Sequence, residues 1–202
     1  MLNQRARPAL GHLVDPVADA LLRLRVPPDA VTVVGTLGVV IGALAFFPRG
    51  VFFIGTAVVF LSVLTDLVDG AMARKLGRTG PFGAWLDSTC DRVADAAIFT
   101  GLVLWFFGEG DDRLLGGVAL FCLVGGSVVS YAKARAEGLG LTCDVGLAER
   151  AERLILVLLG TLLAGLGLPG ALAVALWVLA VATAVTFVQR LVEVRRQALT
   201  AA

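Results

Sequence analysis

The segment VFFIGTAVVFLSVLTDLVDGAMARK, residues 51–75, runs from a long apolar stretch into two acidic residues, Asp66 and Asp69. A helix of about 20 apolar residues crosses the hydrocarbon core of a bilayer, and this segment is long enough to do so. At about 1.5 Å per residue, a helix that starts near residue 51 carries Asp66 about 22 Å along its length. The segment therefore predicts a membrane-spanning helix that places carboxylates toward one of its ends.

The same apolar character extends over the whole chain of 202 residues, 58% of which are hydrophobic. Soluble domains contain roughly 45–50% apolar residues, so this composition is typical of a protein with several membrane spans. We predict an all-α membrane protein in which six transmembrane helices follow an N-terminal interfacial amphipathic helix. The six apolar spans cover approximately residues 30–47, 52–74, 83–107, 114–135, 152–168 and 170–190.

The N-terminal helix is predicted over residues 9–25. Leu21, Leu22 and Leu24 lie on one face, and Arg23 and Arg25 lie on the other. This pattern is typical of a helix that lies in the membrane interface. The chain is predicted to form one membrane domain over residues 1–202, with a cytoplasmic or interfacial segment 1–26, a six-helix core 27–190 and a cytoplasmic tail 191–202.

The distribution of basic residues predicts the orientation of the chain in the cell membrane. Lys and Arg collect in cytoplasmic loops, and with the N-terminus in the cytoplasm the external loops carry only Arg49 and Arg113. Of the 17 basic residues, 17 − 2 = 15 are then cytoplasmic. Both termini and the acidic end of span two are therefore predicted on the cytoplasmic side. The net charge of +1 does not indicate nucleic acid as a partner.

Four aspartates are predicted to meet at the cytoplasmic ends of spans two and three. A spacing of three between Asp66 and Asp69 puts this pair on one helix face, as does a spacing of four between Asp87 and Asp91. Each carboxylate at mid-membrane costs on the order of 2.5–3.5 kcal/mol to insert, and converging carboxylates also repel one another. Hard oxygen ligands suit Mg²⁺ or Mn²⁺, which offset both effects. The pattern favours a metal site over ion pairing with Arg74, Lys75, Arg78 and Arg92.

An ion or proton carrier is the alternative from a different class of protein, because carriers also place acids within the membrane. The acids of a carrier would follow a path across the bilayer. Here they collect at one end, next to Gly70 and Arg74, which a carrier would not need. The sequence therefore favours an enzyme.

Eight residues of spans two and three follow the pattern Asp66-x2-Asp69-Gly70-x2-Ala73-Arg74-x8-Gly83-x3-Asp87-x3-Asp91. In identity and spacing this pattern resembles the complete signature of the CDP-alcohol phosphotransferases, and the predicted spans resemble that family as well. The resemblance implies an enzyme that transfers the phosphatidyl group of CDP-diacylglycerol to an alcohol hydroxyl and releases CMP. It also implies a homodimer in the membrane lipid.

The resemblance further implies roles for individual residues. Two divalent cations, Mg²⁺ or Mn²⁺, are implied, one held by Asp66, Asp69 and Asp87 and the other by Asp66, Asp87 and Asp91. Asp91 is also implied to take the proton from the attacking hydroxyl, and a carboxylate beside a metal suits a general base. The residues implied to contact the CDP-lipid are Asp29, Thr32, Asp66, Asp69, Gly70, Ala73, Arg74, Gly80 and Gly83.

Two further strings, SYAKARAE at 130–137 and ERAER at 149–153, indicate the acceptor alcohol. They resemble the strings of the bacterial phosphatidylinositol-phosphate synthases, a group of this family whose acceptor is inositol 1-phosphate (1D-myo-inositol 3-phosphate). Inositol 1-phosphate carries a phosphate dianion, which suits a basic pocket. Glycerol 3-phosphate, the acceptor of phosphatidylglycerophosphate synthases, would suit the same pocket, so that activity is the alternative within the family. The residues predicted to bind the acceptor phosphate are Ser130, Lys133, Arg135, Arg153 and Arg190.

Overall fold

The computed structural model describes residues 14–77 and 80–200, and within these ranges the chain is all-helical and has no strand. The all-α prediction is confirmed. A short 3₁₀ turn, Phe47–Arg49, follows the second helix. The helices are α1 (14–23), α2 (Pro28–Phe46), α3 (Phe52–Val63), α4 (Thr65–Lys75), α5 (Pro81–Phe107), α6 (Arg113–Glu137), α7 (Arg150–Gly165) and α8 (Pro169–Thr200).

The outer surface of the helical bundle is apolar. Large side chains such as Val34, Ile41 and Leu61 are 62–65% exposed, whereas Thr56 and Thr161 are buried and hydrogen-bonded to each other at 2.7 Å. This arrangement suits contact with lipid, because polar groups within a bilayer must find their partners inside the protein. Four helical segments are long and apolar enough to cross a membrane: Pro28–Arg49, Phe52–Lys75, Arg113–Glu137 and Gly170–Thr200.

The remaining two long helices differ from these four for physical reasons. The first half of α5 carries Asp87, Asp91 and Asp95, which lower its hydropathy, and α7 has only 16 residues. Both helices nevertheless lie inside the bundle, because α5 packs against α2 and α6, and α7 packs against α3 and α8.

Helix α2 is the surface on which the helices with the acidic residues meet, since α3, α4 and α5 all pack against it. Two glycines allow the close approach. A β-carbon at Gly35 would lie 1.9 Å from Thr65 Oγ1, at the start of α4. A β-carbon at Gly101 in α5 would lie 2.6 Å from the carbonyl oxygen of Ala43 in α2. Small residues at these positions bring helix backbones together within a membrane.

The predicted span 52–74 is divided into two helices at Leu64. The Leu64 N–H donates to carbonyl groups of the preceding turn, and the hydroxyl of Thr65 donates to the Ser62 carbonyl at 2.6 Å. The break places Asp66 in the first turn of a new helix, α4.

Helix α1 is fixed to the bundle through α4. Ala18 is fully buried in a small apolar cluster with Ala71 and Met72, and Lys75 Nζ lies 2.6 Å from Asp19 Oδ1. The predicted helix at 9–25 is thus helical over residues 14–23, and residues 9–13 lie outside the described part of the chain. Its position in the membrane interface stays a prediction.

Helix α8 extends beyond the end predicted for span six at residue 190 and continues to Thr200. Its last turns contact the loop at 138–149. Gln197 Nε2 donates to the Thr142 carbonyl at 2.7 Å, and Gln197 Oε1 accepts from the Thr142 N–H at 3.0 Å. Residues 191–200, predicted as part of a tail, are therefore a helical continuation that restrains this loop.

The contact between α2 and α5 leads to a prediction about stability. Replacing Gly101 with alanine should lower the melting temperature of the detergent-solubilised protein, because the new β-carbon would meet the Ala43 backbone rather than a movable side chain. Overpacking of this kind costs about 1–3 kcal/mol. We expect this cost to outweigh the gain in helix propensity that alanine brings, which is about 1 kcal/mol.

The matched control is Gly117→Ala in α6, where a β-carbon would meet no atom within 4 Å. This control should keep or raise the melting temperature. Equal melting temperatures for the two variants would contradict the proposed close contact.

Candidate active site

The acidic residues of α4 and α5 form a cluster at one end of the bundle. Asp69 is buried, with 7% of its surface exposed, Asp66 and Asp91 are half-buried and Asp87 is exposed. Each carboxylate lies close enough to another member of the cluster to repel it electrostatically. The structure thus brings together the four aspartates that the sequence singled out.

Thr32 joins the start of α2 to this cluster. Its hydroxyl donates a hydrogen bond to Asp69 Oδ2 and also lies 3.3 Å from the Pro28 carbonyl oxygen. Asp29 is exposed in the first turn of the same helix. The bond fixes the orientation of one carboxylate, and it places Thr32, one of the two predicted nucleotide-contacting residues of α2, beside the aspartates.

The guanidinium of Arg150, in the first turn of α7, lies among the carboxylates. Its Nη2 is 2.8 Å from Asp91 Oδ1, its Nη1 is 3.7 Å from Asp66 Oδ2, and its Nε is 3.6 Å from Asp95 Oδ1. This Nε is buried and has no hydrogen-bond partner within the described residues. One arginine from a distant part of the chain therefore offsets the charge of three aspartates from α4 and α5.

The ion pairs in the structure differ from the alternative considered in the sequence analysis, in which nearby basic residues pair with the four aspartates. Lys75 contacts Asp15 and Asp19 of α1, and Arg92 approaches Asp91 only to 4.0 Å. Arg78 lies outside the described residues. Among the described residues, Lys75 therefore pairs with α1 and not with the signature aspartates, while Arg92 reaches Asp91 only at the limit of ion-pair distance.

The chemistry of the cluster fits a divalent cation, because the donors are carboxylate oxygens from two helices and Asp69 is already oriented by Thr32. Within residues 14–77 and 80–200, no three acidic, histidine or cysteine side chains converge closely enough to form a metal-binding group as they stand. The guanidinium of Arg150 contacts both Asp66 and Asp91.

The other residues predicted to contact the CDP-lipid lie along α4 and at the start of α5. Gly70 and Ala73 are half-buried on α4, and Arg74 is exposed and forms no ion pair within the described part of the chain. The backbone at Gly70 is open, since a β-carbon there would meet only Arg74 Nη1, at 3.3 Å. Gly80 immediately precedes α5, and Gly83 lies in its first turn. An exposed arginine beside an open backbone suits the binding of a phosphate group.

Arg153 and Ser130 lie next to the acidic cluster. Arg153 is only 4% exposed, and its Nη2 lies 3.4 Å from both Asp95 Oδ2 and Ser130 Oγ. Its Nη1 donates to the Ala148 carbonyl at 3.1 Å. Arg92 donates a further hydrogen bond to Ser130 Oγ. Two of the predicted acceptor-binding residues, Arg153 and Ser130, thus contact each other within a small polar network.

Lys133 lies at the edge of this region, with its Nζ 2.7 Å from Asp144 Oδ1 and 3.9 Å from Glu137 Oε1. The hydrogen bond from Lys133 lowers the pKa of the Asp144 carboxyl, which lies in the loop at 138–149. Arg135 is exposed on the same helix, α6. Arg135 is therefore open to a solute, whereas Lys133 is half-buried and paired with Asp144.

Arg190 is bound to the protein itself. Its Nε donates to the Val145 carbonyl at 3.0 Å, its Nη1 donates to the Val129 carbonyl at 2.6 Å, and its Nη2 lies 3.8 Å from Glu149 Oε1. The side chain is 4% exposed. In this structure Arg190 joins α8 to α6 and to the loop at 138–149, so its contact with the acceptor stays a prediction.

Sequence reasoning assigned no role to three residues that the structure places at the centre of the network, Arg92, Asp95 and Arg150. A signal was present for two of them. Asp95 continues the spacing of four from Asp87 and Asp91, and Arg150 belongs to the string ERAER at 149–153. For Arg92 the spacing gives no comparable signal, because its bond to Ser130 depends on the packing of α5 against α6.

Comparisons with known proteins show which proteins the chain is similar to. The chain is 54% identical to the phosphatidylinositol phosphate synthase of Streptomyces avermitilis, over 98% of this chain and 84% of that protein. It is 48% identical to the phosphatidylinositol phosphate synthase of Mycobacterium tuberculosis, over 92% of this chain and 87% of that protein.

Solved structures of the Mycobacterium tuberculosis enzyme have the same fold. The structure with bound CDP-DAG superimposes with a TM-score of 0.88 at 48% identity, covering 91% of this chain and 94% of that chain. The structure in complex with manganese and citrate gives a TM-score of 0.86 at 49% identity, covering 89% of this chain and 87% of that chain.

The family model of the CDP-alcohol phosphatidyltransferases matches residues 25–189, which include α2 to α7 and most of α8. The matched range contains the acidic cluster, Arg150 and the predicted acceptor residues up to Arg153. With this match over most of its length, and with relatives that are close to half identical, the chain belongs to the CDP-alcohol phosphatidyltransferase family.

Proposed function

We propose that this membrane enzyme transfers the phosphatidyl group of CDP-diacylglycerol to a hydroxyl of inositol 1-phosphate, and that it releases phosphatidylinositol phosphate and CMP. The observation that carries the proposal is the contact between two different groups of side chains. Carboxylates suited to a metal-bound pyrophosphate lie on α4 and α5, and they are linked through Asp95 to the buried Arg153 beside Ser130. Both named relatives are phosphatidylinositol phosphate synthases.

The aspartates bind the CDP-lipid through divalent cations. Asp66, Asp69 and Asp87 hold one divalent cation, and Asp66, Asp87 and Asp91 hold a second, either Mg²⁺ or Mn²⁺. Two such ions supply positive charge that stabilises the pyrophosphate and the departing CMP oxygen. Thr32 orients Asp69 for this task, and Arg74 binds a phosphate oxygen from the exposed side of α4.

Asp91 removes the proton from the acceptor hydroxyl. The hydroxyl oxygen then forms a bond to the phosphorus that carries diacylglycerol, and the bond from this phosphorus to CMP breaks. Arg150, 2.8 Å from Asp91, orients the carboxylate. An ionised, oriented carboxylate beside the reacting hydroxyl is suited to act as a general base.

The acceptor phosphate is bound by basic side chains on α6, α7 and α8. Lys133 and Arg135 reach it from the exposed side of α6, and Ser130, Arg153 and Arg190 complete the pocket. A phosphate dianion offers several acceptor oxygens, so it suits a group of guanidinium and ammonium donors.

The proposed topology follows from the same residues. Helices α5 and α7 cross the membrane together with the four apolar segments, which gives six spans in the cell membrane with both termini and the active site facing the cytoplasm. The 15 basic residues on that side support this orientation. The family resemblance also leads us to propose a homodimer.

The reaction itself is tested with purified protein in detergent. CMP should be released from CDP-diacylglycerol only when a phosphorylated polyol and Mg²⁺ or Mn²⁺ are present, and EDTA should stop the release. Inositol 1-phosphate should outcompete glycerol 3-phosphate. A preference for glycerol 3-phosphate would overturn the acceptor assignment alone, whereas no release with either acceptor would overturn the reaction.

Replacing Asp91 with asparagine should lower turnover by about 10²–10⁴-fold, because the amide cannot accept the proton. Binding of CDP-diacylglycerol, measured without acceptor, should change much less. Asp112→Asn is the matched control, since Asp112 only caps α6 by accepting from the Leu115 N–H at 2.9 Å and asparagine caps equally well. Near-normal turnover of the Asp91 variant would show that another group is the base.

Replacing Lys133 with alanine should raise the acceptor KM by about tenfold, the factor that corresponds to losing about 1.4 kcal/mol of a charge-assisted hydrogen bond. The KM for CDP-diacylglycerol should stay near its normal value. Arg113→Ala, at the opposite end of α6, is the control and should leave both constants unchanged. An effect of the Lys133 variant on the CDP-lipid alone would remove Lys133 from the acceptor pocket.

A further inference from the structure

Asp95 is a carboxylate to which the proposed reaction assigns no task. It lies one helical turn beyond Asp91 on α5, and only 16% of its side chain is exposed. Three guanidinium groups surround it. Arg92 Nη1 is 3.4 Å from Oδ2, Arg153 Nη2 is 3.4 Å from Oδ2, and Arg150 Nε is 3.6 Å from Oδ1.

The three arginines also contact residues on both sides of the proposed active site. Arg150 reaches Asp91 at 2.8 Å and Asp66 at 3.7 Å, on the side of the CDP-lipid. Arg92 and Arg153 both donate to Ser130, on the side of the acceptor. Asp95 is therefore the carboxylate that the two halves of the site share.

The burial of Arg153 makes this shared carboxylate important. Arg153 is 4% exposed, and a buried charge without a partner is strongly destabilised. The three guanidinium groups carry the same charge, so they repel one another when no anion lies between them. Without Asp95, the partners left among the described residues would be Asp66 and Asp91 for Arg150, and Ser130 and the Ala148 carbonyl for Arg153.

We propose that Asp95 is a positioning residue that orients Arg153 toward the acceptor phosphate and Arg150 toward Asp91, so that the acceptor hydroxyl meets its base. This inference rests on the proposed function, because it assumes a phosphorylated acceptor. Asp95 touches neither substrate in this scheme. It acts by preorganising charged donors, which lowers the cost of ordering them when the phosphate binds.

Asp95 also carries a negative charge, which by itself would repel a phosphate dianion. Loss of this charge alone would therefore tighten acceptor binding, whereas loss of the preorganised arginines would weaken it. The two effects have opposite signs, so the direction of change in the acceptor KM distinguishes a positioning role from a purely electrostatic one.

The test compares Asp95→Asn, which keeps the size but removes the charge, with Asp95→Glu, which keeps the charge but moves it by one methylene group. The acceptor KM should rise by about tenfold in the asparagine variant and by a smaller factor in the glutamate variant. The dissociation constant of CDP-diacylglycerol, measured without acceptor, should stay within about threefold of normal, a change below the tenfold that about 1.4 kcal/mol would cause. Glu152→Gln is the control, because Glu152 is exposed in the first turn of α7 and forms no ion pair among the described residues.

An unchanged or lowered acceptor KM in Asp95→Asn would overturn the proposal. So would a parallel loss of melting temperature, turnover and CDP-lipid binding that the glutamate variant does not relieve, since that result indicates a merely structural role. If the asparagine variant does not fold, the glutamate variant decides, and a normal acceptor KM there counts against the proposal.

Failure of the proposed function would look different, because the unmodified protein would then release no CMP with any phosphorylated acceptor. If the unmodified protein prefers glycerol 3-phosphate, the same comparison is made with that acceptor, since the argument concerns the phosphate group and not the polyol.

Discussion

The balance of charge between the aspartates of α4 and α5 and the guanidinium of Arg150 is the interaction on which the site depends. Asp66, Asp91 and Asp95 all lie within 3.7 Å of this one side chain. Carboxylates away from bulk water repel one another strongly, and a helix that carries several of them is costly to keep in a membrane unless the charges are compensated. The helices that carry these groups must therefore meet at one end of the bundle.

The helices can meet at this end of the bundle because glycines at their contacts let the backbones approach closely. Gly35 and Gly101 let α4 and α5 approach the same helix, α2, and Thr32 of α2 then donates directly to Asp69. The start of α7 is fixed from the opposite side, because Arg190 and Gln197 of α8 bond to the loop that precedes it. The positions of the aspartates and of Arg150 are thus set by contacts along the whole length of the chain.

The site has an acidic half and a basic half, which lie next to each other. Membership of the CDP-alcohol phosphatidyltransferase family accounts for the acidic half, whose signature runs from Asp66 to Asp91. The basic half differs in kind, since Arg153 and Arg190 are buried and bonded to the protein, while Lys133 and Arg135 remain accessible. A buried arginine with several fixed partners provides orientation, and an accessible lysine can follow a solute as it enters. In the proposed reaction, binding of the acceptor phosphate rests on both kinds of basic residue.

The sequence alone determined the all-helical architecture, its apolar character and the four aspartates as a candidate cluster. These features depend on local periodicity and on eight residues at fixed spacing, both of which can be read along one dimension. The sequence did not reveal the break at Leu64, which involves hydrogen bonds to the preceding turn. It also did not reveal the continuation of α8 to Thr200, whose last turns bond to the loop at 138–149.

Only the tertiary structure decided which cations meet the aspartates. Of the cations nearest in sequence, Lys75 pairs with α1 and Arg92 reaches Asp91 only at 4.0 Å, whereas Arg150, from α7, takes the central place. The physical reason is that helix packing, and not proximity along the chain, sets the distance between charges. Asp95 illustrates the same point, because its spacing was visible in the sequence but its three arginines come together only in the folded bundle.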